Sequence, residues 1–86
     1  MARKIVWHPL AWEQYQHWVE TDRRVLKKLN GLIKEAMRTP FEGSGKPEPL
    51  LHEYKGFWSR RITDEHRLVY RVDDDVLEIA QCRYHY

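Results

Sequence analysis

The sequence predicts an α+β domain in which two helices pack on one face of a mainly antiparallel, twisted sheet. Apolar residues recur at helical spacing in the first half of the chain and fall in short, alternating, β-prone runs in the last third. Helices followed by a run of strands are typical of α+β domains, and the predicted order is β-α-α-β-β-β(-β). We expect the whole chain, residues 1–86, to form a single domain, because this length suits one compact unit.

The first half predicts an opening strand and two helices. Ile5 to Trp7 predicts the strand, and Pro9 suits the first turn of a helix over about residues 9–20. Thr21 and Asp22 are both natural N-caps for a second helix. Thr39-Pro40 ends this helix, because the residue before a proline avoids the helical region. Its apolar stripe consists of Val25, Leu26, Leu29, Leu32, Ile33, Ala36 and Met37.

The second half predicts a loop and then a meander. Residues 40–49 are rich in proline and glycine, which indicates a loop. Phe57 to Ile62, Arg67 to Val72 and Val76 to Tyr84 predict three strands, and Leu50 to Tyr54 is a possible further strand.

The strand pattern predicts one dry face and one cationic face. Side chains alternate along strands, so pairing Arg61 with Arg67, and Val72 with Val76, would put even-numbered residues on one side. The predicted core beneath the helices is then Trp58, Ile62, Leu68, Tyr70, Val72, Val76, Ala80, Cys82 and Tyr84. The opposite face would carry Arg61, Arg67, Arg71, Gln81, Arg83 and His85. Some residues violate this division: Arg60 and Glu78 on the even side, and Val69, Leu77 and Ile79 on the odd side.

Composition excludes several classes of protein. No stretch approaches the roughly 20 apolar residues of a membrane span, and the N-terminus does not resemble a secretory signal, so we expect a cytoplasmic protein. The single cysteine, Cys82, excludes an internal disulfide and a cysteine zinc cluster, and its apolar surroundings predict a buried thiol. His8, His17 and His52 lack metal-ligand spacing. We therefore expect no metal and no cofactor.

A set of chemically suitable residues predicts RNA cleavage without a metal. Such cleavage needs a base for the ribose 2′-OH, a cation for the phosphoryl oxygens and an acid for the departing 5′-oxygen. Glu48, between two prolines that stiffen it, is the best candidate base, and Glu65 is a second candidate. Arg61 and Arg67 could supply the cation. His85, between two tyrosines that could stack on bases, could supply the acid.

Two other functions fit the same pattern. The cationic face could belong to a non-catalytic module that binds RNA or the ribosome, or to a small subunit that receives a partner's acidic segment. Gly43-Ser44-Gly45-Lys46 lacks the spacing of a Walker motif, which excludes a nucleoside triphosphate site of that kind.

Four blocks of the sequence resemble the YoeB (Txe) toxins of the RelE superfamily. They are Thr39 to Gly43 with Gly45 to Leu50, Gly56 to Ile62, Glu65 to Tyr70, and Cys82 to Tyr86. This resemblance implies a RelE-like fold and a bacterial toxin of a type II toxin–antitoxin pair. Such toxins enter the A site of the 70S ribosome, beside ribosomal RNA, and cut the mRNA there. It also implies a YefM/Phd-type antitoxin, operator DNA contacted only through the complex with it, a possible homodimer and no membrane.

The resemblance also implies roles for individual residues. By matching position, Glu48 would be the general base, Arg67 the phosphate stabiliser and His85 the general acid, with Tyr86 shaping the site. The products would be a 2′,3′-cyclic phosphate and a 5′-hydroxyl. Leu51 stands where such toxins are expected to carry a basic residue. Further expected substrate-binding residues are Arg61, Glu65, Lys46 and Arg83, and expected ribosome-binding residues are Arg23, Arg24, Lys27 and Lys28.

Overall fold

A computed structural model describes residues 3–84, and within them the predicted α+β fold is confirmed. The elements are β1 Lys4–Trp7, α1 Pro9–Thr21, α2 Arg23–Arg38, β2 Glu48–Pro49, β3 Trp58–Arg61, β4 Arg67–Asp73 and β5 Val76–Gln81. The sheet has the order β1-β5-β4-β3-β2. β1 runs parallel to β5, whereas all other neighbours in this sheet are antiparallel.

The boundary between the helices is set by Asp22. Its side chain accepts hydrogen bonds from the backbone N–H groups of Arg24 and Val25, both at 3.1 Å. These are two of the N–H groups that a helix start leaves without a partner, so Asp22 caps α2 and Thr21 remains the last residue of α1. The helix ends at Arg38, immediately before Thr39-Pro40, as predicted.

Two of the predicted strand limits are wrong. Leu50 to Tyr54 is not a strand: His52–Tyr54 forms one 3₁₀ turn, and the short edge strand is Glu48–Pro49, inside the predicted loop. Prolines favour this extended conformation, and an edge strand tolerates the missing N–H. The last strand ends at Gln81 rather than Tyr84, because the backbone of Cys82 bonds to side chains of α1 instead of a neighbouring strand.

The register prediction is correct for one hairpin and wrong for the other. Arg61 pairs with Arg67, but Val72 pairs with Leu77 instead of Val76. This one-residue slip turns Leu77 and Ile79 toward the core in place of Val76 and Ala80. The register shifts again at a bulge between Val69 and Tyr70. Beyond this bulge the even-numbered Cys82 faces the core, so it is buried as predicted. Tyr84, predicted to be in the core, is 52% exposed.

The core lies between the helices and one face of the sheet. It comprises Ala11, Trp18, Leu29, Leu32, Ile33 and Ala36 from the helices and Ile62, Leu68, Tyr70, Leu77, Ile79 and Cys82 from the sheet side. None of the helices in residues 3–84 combines the length and the apolar character needed to cross a membrane.

Arg60 lies on the core side of β3 and is fully buried. Its guanidinium donates to Glu35 Oε1, to Tyr70 Oη and to backbone carbonyl oxygens of the segment after α2, those of Thr39, Glu42 and Ser44. Burying a charge is tolerable only when it is paired and hydrogen-bonded, as Arg60 is. Arg60 therefore holds the loop that leads to β2, and it does not contribute to the cationic face.

Candidate active site

Glu48 and Arg67 meet on the sheet face opposite the core. Glu48 pairs with Ser59 in the β2–β3 ladder, and Arg67 pairs with Arg61 in the β3–β4 ladder. Ser59 and Arg61 are two residues apart on one strand, so all four side chains share a face. Arg67 Nη2 donates to Glu48 Oε1 at 3.0 Å. The Glu48 side chain is 54% exposed and that of Arg67 13% exposed, so a substrate could reach the carboxylate.

A third side chain, which the sequence analysis did not identify, completes this group. Ser59 is fully buried, and its Oγ accepts a hydrogen bond from Arg67 Nε at 2.5 Å. The sequence was sufficient to predict which face of the sheet Ser59 lies on, because Ser59 and Arg61 are two residues apart on β3. A single serine in a strand, however, gives no chemical indication of which partner it will have.

The loop before Glu48 is held close to β3. Arg61 N–H donates to the Gly45 carbonyl at 2.7 Å, and Gly45 has a φ of +80°. A Cβ on Gly45 would lie 3.0 Å from the Arg61 carbonyl oxygen, so glycine is what allows this approach. Pro47 follows two residues later, so Glu48 begins β2 directly after a restrained segment.

The other predicted substrate-binding residues lie in different parts of the chain. Arg61 is exposed at the end of β3, directly opposite Arg67. Lys46 is exposed just before β2, and Glu65 is exposed in the β3–β4 turn. The Arg83 guanidinium lies against two aromatic rings, 4.7 Å from the ring centre of Tyr84 and 5.8 Å from that of Trp18.

His85 and Tyr86 lie outside the described residues, but the segment before them is firmly attached to α1. Trp18 Nε1 donates to the Cys82 carbonyl at 2.9 Å, and Gln14 Oε1 accepts the Cys82 N–H at 2.7 Å. Helix α1 thus supplies hydrogen bonds that a neighbouring strand would otherwise provide.

Tyr84 is held next to the Glu48–Arg67 pair. Its N–H donates to His66 Nδ1 at 2.7 Å, and its carbonyl accepts the backbone N–H of Arg67 at 3.2 Å. His66 is nearly buried and lies beside the ring of Trp18. The roles of Gln14, Trp18 and His66 were not predicted, because these residues lie 18 to 68 residues from their partners and form no local motif.

The predicted ribosome-binding residues form an exposed basic surface on α2. Arg23, Arg24, Lys27 and Lys28 are all exposed in its first two turns. Three of them, Arg24, Lys27 and Lys28, line a groove of about 530 Å³ that extends to Ser44. The structure thus leaves these charges accessible to a polyanion.

A second charged cluster lies on the same sheet face as Arg67. Glu78 contacts the His8 imidazole through Oε2 at 2.5 Å and accepts two hydrogen bonds from Arg71 through Oε1. The bond with His8, and then those with Arg71, lower the pKa of Glu78. Within residues 3–84, no group of histidine, cysteine, aspartate and glutamate side chains could hold a metal ion.

Known proteins share this fold and most of this sequence. Residues 7–86 match the family model described as a YoeB-like toxin of bacterial type II toxin–antitoxin systems. Toxin YoeB of Escherichia coli (strain K12) is 64% identical over 83 residues, covering 96% of this chain and 99% of the relative. A YoeB/ParE toxin from Agrobacterium tumefaciens superposes with a TM-score of 0.94 at 54% identity, covering 96% of this chain and 99% of the other.

Structures from Staphylococcus aureus show a relative in two assemblies. A YoeB dimer superposes with a TM-score of 0.92 at 45% identity, and a YoeB–YefM complex with a TM-score of 0.90 at 44% identity. Each match covers 100% of both chains. With a family model over residues 7–86 and a 64% identical relative of nearly the same length, this chain belongs to the family of YoeB-like toxins of bacterial type II toxin–antitoxin systems.

Proposed function

We propose that this chain is an endoribonuclease that cleaves mRNA in the ribosomal A site without a metal and so inhibits translation. The observation that carries the proposal is the contact between Glu48 and Arg67, a carboxylate and a guanidinium within 3.0 Å on an accessible sheet face. A general base and a phosphate-stabilising cation are two of the three groups that the reaction requires.

In the proposed reaction Glu48 accepts the proton of the ribose 2′-OH, and the 2′-oxygen attacks the adjacent phosphorus. Arg67 neutralises the charge that develops on the phosphoryl oxygens. His85 gives a proton to the 5′-oxygen as the P–O bond breaks, which leaves a 2′,3′-cyclic phosphate and a 5′-hydroxyl. His85 is covalently attached to Tyr84, whose carbonyl accepts the N–H of Arg67. This attachment supports a role for His85 beside the same phosphate.

The remaining parts of the proposal concern binding. Tyr86 would shape the site, and Arg61, Lys46, Glu65 and Arg83 would contact the mRNA. Exposed Arg23, Arg24, Lys27 and Lys28 would bind ribosomal RNA. An activity on ribosomes would place the protein in the cytoplasm.

The protein partners follow from the relatives. The S. aureus YoeB–YefM complex supports a YefM-type antitoxin as a partner of this chain. In the proposal this antitoxin neutralises the chain and, together with it, represses their operon by binding operator DNA. The S. aureus YoeB dimer supports a homodimer of the free toxin.

The test is cleavage of mRNA on programmed 70S ribosomes by the purified chain. We expect one cut at the A-site codon, a 5′-hydroxyl product, and no cut when the nucleotide at that bond carries a 2′-deoxy group. Glu48→Gln should lower the cleavage rate by roughly 100- to 10,000-fold, the usual contribution of a general base to the rate. It should not weaken ribosome binding. Persistent cleavage of the 2′-deoxy message would exclude the mechanism. Ribosome binding that improves in Glu48→Gln, with no cleavage by the unmodified chain, would indicate a binding module instead.

A further inference from the structure

Among residues 3–84, the side-chain hydrogen bonds of Arg67 run through Nε and Nη2. Nε and Nη2 lie on the same edge of the planar group, and this edge donates to Ser59 Oγ through Nε and to Glu48 Oε1 through Nη2. In the described part of the chain, Nη1 of Arg67 has no hydrogen-bond partner. The other edge, formed by Nη1 and the second N–H of Nη2, therefore offers two parallel donors, the geometry that binds two oxygens of one phosphate.

Ser59 and Glu48 compete for the first edge. A carboxylate that meets an arginine tends to accept two parallel hydrogen bonds, and the matching donors here are Nε and Nη2. Ser59 already occupies Nε, so Glu48 accepts only from Nη2. Ser59 cannot readily move away, because it is fully buried and its backbone is paired with Val69 on one side and with Glu48 on the other.

We propose that Ser59 is a positioning residue that limits the Glu48–Arg67 contact to one hydrogen bond and directs the free edge of Arg67 to the substrate phosphate. This inference rests on the proposed function. Without the hydroxyl, the guanidinium can rotate until Glu48 accepts from both Nε and Nη2. The carboxylate would then be less available to take the 2′-OH proton, and the phosphate-binding edge would point away from its target.

The test compares Ser59→Ala with the unmodified chain in single-turnover cleavage on programmed ribosomes at saturating toxin. We expect the rate to fall roughly 10- to 100-fold, the scale of a small misplacement of reacting groups, while ribosome binding measured by sedimentation changes less than about twofold. Thr21→Ala is the control, because it removes an exposed hydroxyl that donates to the His17 carbonyl within α1, away from Arg67, and should leave the rate unchanged. A rate for Ser59→Ala within twofold of the unmodified chain would overturn the inference.

A double-mutant cycle separates positioning from simple destabilisation. If Ser59 acts through Arg67, adding Ser59→Ala to Arg67→Ala should cause no further loss of rate. An equal loss in both backgrounds would show that Ser59 only supports the fold.

Hydrogen exchange of the Arg67 Nε–H, followed by nuclear magnetic resonance, gives a readout that does not require cleavage. The signal should exchange at least about tenfold faster in Ser59→Ala than in the unmodified chain, as expected when a partly buried hydrogen bond is lost. Equal exchange rates would overturn the inference. If the unmodified chain failed to cleave mRNA, the proposed function would fail, yet this measurement would still decide whether Ser59 holds Arg67.

Discussion

The backbone N–H of Tyr84 donates to Nδ1 of His66 at 2.7 Å, which joins the C-terminal segment to the turn before β4. The next residue after His66 is Arg67, and the next after Tyr84 is His85. One hydrogen bond thus holds together the two chain segments that carry the proposed catalytic residues Arg67 and His85. The bond requires His66 Nδ1 to be unprotonated, since a protonated nitrogen cannot accept.

Replacing His66 should therefore affect cleavage through the C-terminal segment. His66→Leu removes the acceptor and should lower the single-turnover rate by roughly 10- to 100-fold. His66→Asn should retain most of the rate, because its amide oxygen can take the position of Nδ1. The measurement is cleavage on programmed ribosomes, with a second pair of variants that also carry His85→Ala. A further loss from His66→Leu in the absence of His85 would contradict this explanation.

The alternation of side chains between the two faces of each strand predicted more of the site than any motif did. Alternation alone placed Arg61 and Arg67 on the face opposite the core, and one hairpin register sufficed for that. The same reasoning failed next to the turn of the following hairpin, because the turn length decides that register and does not show in the alternation. The bulge that restores the parity further along does not show in it either.

The structural roles of the polar residues were not predictable from the sequence. Strand parity places Arg60 on the core side of β3, but it does not show that acceptors from a distant loop surround the buried guanidinium. Gln14 and His66 likewise acquire their roles from partners that only the folded chain brings near. A sequence shows which side chains share an element, but not which acceptors from elsewhere will meet them.

Loss of the Arg60 guanidinium should strongly destabilise the fold. In Arg60→Met the methionine side chain fills the space of the apolar part of Arg60. Glu35 and several backbone carbonyls are left without their hydrogen-bond donor. Removing one partner of a buried pair usually costs about 3–5 kcal/mol, and we expect a loss of about 3 kcal/mol in the free energy of unfolding measured with urea. The control is Arg61→Met, at the exposed neighbour, which should change stability by less than about 0.5 kcal/mol. Equal effects of the two variants would show that the Arg60 contacts do not stabilise the protein.

The stability of the chain should fall in acid partly because of Glu35. The Ser44 N–H, which donates to Glu35 Oε1 at 2.5 Å, and the adjacent Arg60 lower the pKa of Glu35 from its ordinary value of 4.5. The unfolded chain then binds a proton at higher pH than the folded chain does. The stabilisation is present above pH 4.5 and is lost as the pH falls through the lowered pKa.

Glu35→Gln should make the free energy of unfolding less dependent on pH below 4.5, although it lowers stability near neutral pH. Urea unfolding at a series of acidic pH values measures this dependence. Glu13→Gln, at an exposed carboxylate with no hydrogen bond or ion pair within residues 3–84, is the control. If Glu35→Gln retained the full acid dependence of the unmodified chain, another carboxylate would be responsible.

The Cys82 thiol should be unreactive in the folded protein. Cys82 is buried, and burial raises the pKa of its thiol from 9.0 to about 12. Only the thiolate is nucleophilic, so near pH 8 a shift of this size lowers the reactive fraction about 1,000-fold. Alkylation by iodoacetamide, followed by mass spectrometry, should be slower by at least that factor in the native chain than in urea. Comparable rates would mean that the C-terminal segment opens readily from α1.

The basic surface of α2 should determine how ribosome binding depends on salt. Each cation that neutralises a phosphate adds roughly 0.7–0.9 to the slope of log affinity against log salt. Replacing Arg23, Arg24, Lys27 and Lys28 together with alanine should therefore lower that slope by about 3, and reduce affinity at least tenfold at low salt. Lys34→Ala with Arg38→Ala, exposed residues further along the same helix, controls for a general loss of charge and should have the smaller effect. Sedimentation with 70S ribosomes at several salt concentrations gives both quantities, and an unchanged slope in the fourfold variant would exclude these residues from the ribosome contact.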